Sequence, residues 1–72
     1  MTEVVLKEEF IKLGQALKAA NLVENGGEAK RLIQEGHVKV NGEVELQRGK
    51  KLFDGDSITF RGETVRITAR KE

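Results

Sequence analysis

The sequence predicts an α+β domain: two N-terminal helices packed on a small, mostly antiparallel sheet of four to five strands. Three observations carry this. Apolar residues recur at spacings of three and four through residues 10–35, then alternate with polar ones in short runs through residues 37–68. Asn41-Gly42 separates two of those runs, and glycines bound the others. A helix buries one stripe and a strand buries every second residue, so the change of period marks the change of element. The chain has 72 residues, enough for a single domain over 1–72. Its core lies near the lower limit for folding without staples.

TEVVLK, residues 2–7, reads as a short first strand ahead of the helices. FIKLGQALKAANLV follows as a helix, with Phe10, Leu13, Leu17 and Ala20 on its apolar face and Ala16 beside them. Glu8 and Glu9 fall where a helix dipole favours acids. Gly14 within that helix costs roughly 1 kcal/mol relative to alanine. Close approach by another element would account for it. Asn21 is a left-handed stop. ENGG at 24–27 is a loop, and GEAKRLIQEG gives a second helix packed through Ala29, Leu32 and Ile33. Arg31 then points away from the apolar side, Lys30 and Gln34 lie on its flank, and Gly36 ends the helix.

HVKV sets Val38 and Val40 on one face and His37 and Lys39 on the other. Asn41-Gly42 is a type I′ hairpin turn, whose two central residues need positive φ. EVEL returns with Val44 and Leu46 expected inward. QRGKKLFDGD is a turn-rich loop that brings Leu52 and Phe53 back toward the core. SITF and TVRIT form a second pair through Arg61-Gly62, and residues 70–72 read as a fraying tail.

Catalysis finds little support. The chain has one histidine, one serine, no cysteine and no tyrosine. Ser57 sits at a strand start, where a polar residue is expected. Asp54 and Asp56 flank Gly55 but lack the further oxygens of a calcium loop, so they read as turn chemistry. Gly26 and Gly27 fit neither the P-loop nor the dinucleotide fingerprint; they read as an interhelical turn, with an isolated phosphate contact left open. His37 reads as a surface imidazole. No metal, cofactor or small-molecule substrate is expected. No apolar run is long enough for a signal peptide or a membrane span, and a cytoplasmic monomer is expected.

Charge carries the functional signal. The formal net charge is only +1. Residues 30–51, however, hold six cations against three anions, while residues 1–29 are net acidic and residues 52–72 balanced. The six are Lys30, Arg31, Lys39, Arg48, Lys50 and Lys51. They are expected to share one rim, opposed by Glu35, Glu43 and Glu45. Such density matches phosphate spacing and releases counterions on binding. All three aromatics are phenylalanines, which argues against reading unstacked single strands and leaves backbone and shape recognition of folded RNA. The alternative is a protein-interaction adaptor docking its basic rim on an acidic partner.

From about residue 10 to 60 the chain resembles the RNA-binding domain named after small-subunit ribosomal protein S-four, also called the αL motif. The pattern is met by Ala29, Leu32 and Ile33, Gly36, Val38 and Val40, Asn41-Gly42, and Gly55-Asp56. GGEAK and RGKKL are similar to a subfamily of small stand-alone bacterial members, the YaaA-like and YbcJ-like proteins. Many members place Ser-Arg before the second helix; this chain has Asn25-Gly26, so that arginine contact does not carry over. The resemblance implies bacterial, cytoplasmic RNA binding, with ribosomal or ribosome-associated RNA the favoured partner; together with the residue reading, the expectation is a non-enzymatic module that binds structured RNA. It implies RNA contacts at Lys30, Arg31, Lys39, Arg48, Lys50 and Lys51.

Overall fold

Strands, not helices, come first. The computed structural model describes residues 2–69, so the tail expected at residues 70–72 lies outside the described residues. The elements are β1 (Thr2–Leu6), β2 (Ile11–Lys12), α1 (Leu13–Ala19), α2 (Gly26–Gln34), β3 (Val38–Val40), β4 (Glu43–Val44), β5 (Lys51–Leu52), β6 (Ser57–Phe60) and β7 (Glu63–Ala69). Five strands form one sheet in the order β1-β7-β6-β3-β4, and β2 and β5 form a separate ribbon. β1 runs parallel to β7, so the sheet is mixed; the other pairs are antiparallel.

Both helices cover one sheet face. Leu13, Ala16 and Leu17 of α1 and Ala29, Leu32 and Ile33 of α2 meet Val4, Leu6, Val38, Val40, Ile58, Phe60, Val65 and Ile67 in a single core. Fully burying an aliphatic side chain contributes about 1.5–3 kcal/mol, so this layer supplies most of the driving force. Among the described residues no helix is long and apolar enough to cross a membrane.

The first helix is shorter than its periodicity suggests. Ile11 and Lys12 pair with Leu52 and Lys51, which takes them out of α1. Phe10 therefore lies outside the helix and the core, and Glu8 and Glu9 lie outside the first helical turn. Among the described residues no side chain caps α1. Instead Leu13 N–H donates to Lys50 O at 2.9 Å and Gly14 N–H to Arg48 O at 3.1 Å, so the distant loop satisfies two free helix donors. A pattern of side chains cannot register a helix start set by backbone groups more than thirty residues away.

The second helix starts through its own sequence. Asn25 is the N-cap: Glu28 N–H donates to its Oδ1 at 2.8 Å, and Glu24 N–H donates to Glu28 Oε1 at 2.9 Å. This reciprocal arrangement is a variant of the capping box. Left-handed backbone occurs where the sequence predicts it, at Asn21 (φ 59°) and Asn41-Gly42 (52° and 86°), and Gly36, which ends α2, adopts it too at 81°.

Two inward assignments are corrected. Val44 and Leu46 are exposed, at 50% and 57%. The two-residue turn sets Val40 opposite Glu43 and Lys39 opposite Val44. Opposed residues share a face, so Val44 joins Lys39 on the side turned from the helices. Leu52 is fully buried, whereas Phe53 remains 46% exposed rather than entering the core.

Candidate nucleic-acid interface

Gly14 is where the loop meets the helices. A β-carbon built there would stand 2.7 Å from Arg48 Cγ and 3.2 Å from Cδ. Those separations exclude an unmoved side chain, so glycine permits the arginine stem to lie against the start of α1. This is the close approach expected at this position.

A cleft of about 330 Å³ opens beside this contact, lined by Lys12, Gly14, Gln15, Lys18, Gly26, Arg48 and Gly49. Four parts of the chain build it: the end of β2, one side of α1, the first residue of α2, and the loop before β5. Among the described residues three cationic side chains line it and no acidic one does. Gly26 adds the N-terminal end of α2, whose dipole also favours an anion. The arrangement can hold a phosphate-bearing ligand by charge and hydrogen bonding.

The six cations singled out from the sequence occupy different surroundings. Arg48 lines the cleft. Lys51 stands on the β2–β5 ribbon opposite Lys12, with Nζ 4.8 Å from the Phe10 ring centroid. Lys50 borders a shallow hollow with Glu43 and Glu45, and its carbonyl caps α1. Lys30 and Arg31 are exposed on α2. Arg31 lies 3.5 Å from Glu35 Oε1, which His37 Nε2 approaches to 3.4 Å. Lys39 is on the sheet face turned from the helices, in register with Thr59. Lys12 thus borders the cleft with Arg48 and pairs with Lys51 across the ribbon, while Lys39 faces the other way.

Lys12 and Lys18 are absent from that sequence-derived set. They fall in the net-acidic first segment, where a count by segment hides them. The available signal was Gly14. A glycine that admits a basic loop makes the polar residues beside it, Lys12 and Lys18, neighbours of that loop.

The acids of the 53–57 turn are engaged by the protein itself. Asp56 Oδ2 accepts from Phe53 N–H at 2.7 Å, Asp56 Oδ1 from Asn41 Nδ2 at 3.0 Å, and Asp54 Oδ1 from Ala69 N–H at 2.9 Å. The Asp56–Phe53 bond is the turn contact expected from position; the other two tie the turn to the first hairpin and to β7. Among the described residues no three histidine, cysteine or acidic side chains group to hold a metal ion.

Two helices on one face of a mixed five-stranded sheet, with a cationic cleft at the helix ends, define a small α+β module of the αL type. The chain belongs to the S4 domain family, whose model matches residues 4–68. It is 41% identical over 59 residues to the Bacillus subtilis (strain 168) protein named "Probable ribosome maturation protein RlbA", covering 82% of this chain and 83% of that protein. It is 36% identical over 63 residues to YbcJ of Escherichia coli (strain K12), covering 88% of this chain and 90% of YbcJ. The solution structure of E. coli YbcJ, described as revealing an αL motif involved in RNA-binding, matches with a TM-score of 0.74 and 36% identity, covering 96% of this chain and 89% of that one.

Proposed function

We propose that this protein binds structured RNA through phosphate contacts centred on the Lys12–Lys18–Arg48 cleft, without catalysing a reaction. The observation that carries the reading is the seating of the Arg48 stem on Gly14. It holds the arginine beside two lysines in a cleft that no carboxylate lines among the described residues. The name of RlbA and the description of YbcJ point to RNA and to the ribosome, which favours ribosomal or ribosome-associated RNA as the partner.

In this reading Arg48 and Lys51 bind phosphates from the loop and ribbon, and Lys50 adds a contact weakened by Glu43 and Glu45. Lys30 and Arg31 extend the surface along α2. Lys39 engages only an RNA that passes around the sheet edge. Phosphate contacts position the RNA without reading its bases.

The test is fluorescence anisotropy with a structured RNA across a salt series. Binding should weaken linearly in log salt, and an Arg48, Lys50, Lys51 triple alanine variant should bind with a shallower slope. Equal retention by that variant counts against the assignment.

A further inference from the structure

Two aromatics flank the β2–β5 ribbon, the half-buried Phe10 just before β2 and the exposed Phe53 just after β5. Neither Phe10 nor Phe53 belongs to the core cluster. Their ring centroids are 6.0 Å apart at an interplanar angle of 51°. Isolated exposed apolar residues are ordinary on a protein surface. Three features set this pair apart.

The first is its cationic frame. Lys51 Nζ lies over the Phe10 ring, and Lys12 stands opposite Lys51 across the ribbon. The second is rigidity. Phe53 N–H donates to Asp56 Oδ2 at 2.7 Å and Phe53 O accepts from Asp56 N–H at 3.0 Å, so the turn holds the residue from both sides. The third is continuity: Lys12 also lines the Arg48 cleft.

We propose that Phe53, backed by Phe10, is a stacking platform for one unpaired base of the bound RNA, a role that composition alone argues against and that the pairing of the two rings outside the core supplies. Lys51 and Lys12 hold the phosphates beside that base. The inference rests on the RNA-binding reading and deepens it by naming the feature recognised. Lys51 covers Phe10, which leaves the more exposed Phe53 ring to receive the base. Every base offers a π-face, so such a platform accepts any base, provided that it is out of the helical stack. Glu8 and Glu9 are exposed just before Phe10 and repel a backbone on that side. The RNA is thereby directed from Phe53 toward the Arg48 cleft.

The experiment uses an RNA hairpin with one bulged 2-aminopurine and its fully paired counterpart. Wild-type protein should prefer the bulged hairpin and quench its fluorescence. Phe53→Ala should lose roughly tenfold in affinity for the bulged hairpin, little for the paired one, and leave the salt slope unchanged. Phe53→Leu keeps apolar bulk but should not restore quenching, whereas Phe53→Tyr should. Phe53 lies outside the core, and circular dichroism melts verify that each variant folds. Wild-type preference that persists in both Phe53→Ala and Phe53→Leu overturns the platform while leaving RNA binding intact. Failure of wild-type protein to bind either hairpin overturns both readings.

Discussion

Asn41 Nδ2 donates a hydrogen bond to Asp56 Oδ1 across 3.0 Å, joining two turns fifteen residues apart. The same side chain accepts from Ser57 N–H at 3.0 Å through Oδ1, and the Asn41 N–H donates to Ser57 O at 2.9 Å. Asn41 is therefore both the left-handed residue of its hairpin and the tie between that hairpin and the 53–57 turn. Through Asp56, the tie reaches the residue that presents Phe53.

Two substitutions separate these roles. Asn41→Gly keeps the positive φ and loses the side-chain bonds, which should cost about 1 kcal/mol. For a domain of this size that is a Tm drop of roughly 4–8 °C. Asn41→Ala loses the same bonds and also strains φ 52°, adding about 1 kcal/mol. Thermal melts followed by circular dichroism read both. Equal Tm values for the two variants would remove the backbone part of the argument.

Gly14→Ala should uncouple binding from stability. The new methyl group meets Arg48 Cγ, near the root of the side chain, so the whole stem must rotate about χ1 away from α1 while its carbonyl stays bonded to residue 14. Improved helix propensity, worth up to about 1 kcal/mol, offsets the lost packing. Net stability should change by less than about 1 kcal/mol, while RNA affinity falls about tenfold at low salt as a charged contact is lost. Parallel denaturation and anisotropy titrations check this; unchanged affinity would show that the seating of Arg48 is not used.

Salt dependence should grade the cations by position. Lys12→Ala, Lys18→Ala and Arg48→Ala should each reduce the slope of log affinity against log salt by about one. Lys39→Ala, on the face turned from the helices, should reduce it by less than half as much. A Lys39 effect equal to that of Lys12 would move the interface to the sheet edge.

The register of the first hairpin makes a stability prediction. Val44→Thr substitutes an exposed position and should change stability by less than about 0.5 kcal/mol. Ile58→Ala opens a cavity under both helices and should cost about 2–5 kcal/mol. Urea denaturation measures both; a loss at Val44 comparable to that at Ile58 would mean that its side chain is buried.

Much of the fold was legible because its signals are local. Gly36, Asn41-Gly42 and Asn21 take left-handed conformations that few other residues accept, and Ala29, Leu32 and Ile33 share a helical face by spacing alone. The facing of Val44 was also legible in principle. A two-residue turn sets the parity of the returning strand, and that parity outweighs the apolar character of Val44 and Leu46. The parallel pairing of β1 with β7 left no comparable trace, because it joins segments at opposite ends of the described chain.

By itself, the sequence determined the helical stripes, the left-handed turns, the basic middle segment and the family resemblance. All of these depend on residue type and short-range spacing. Tertiary structure decided where α1 begins, that Phe10 and Phe53 meet at the surface, and that Lys12 and Lys18 join Arg48 around one cleft. Those features arise where the loop before β5 docks on α1 through backbone hydrogen bonds. Every peptide unit carries the same donor and acceptor, so a contact made by the main chain leaves little mark on the residues that make it.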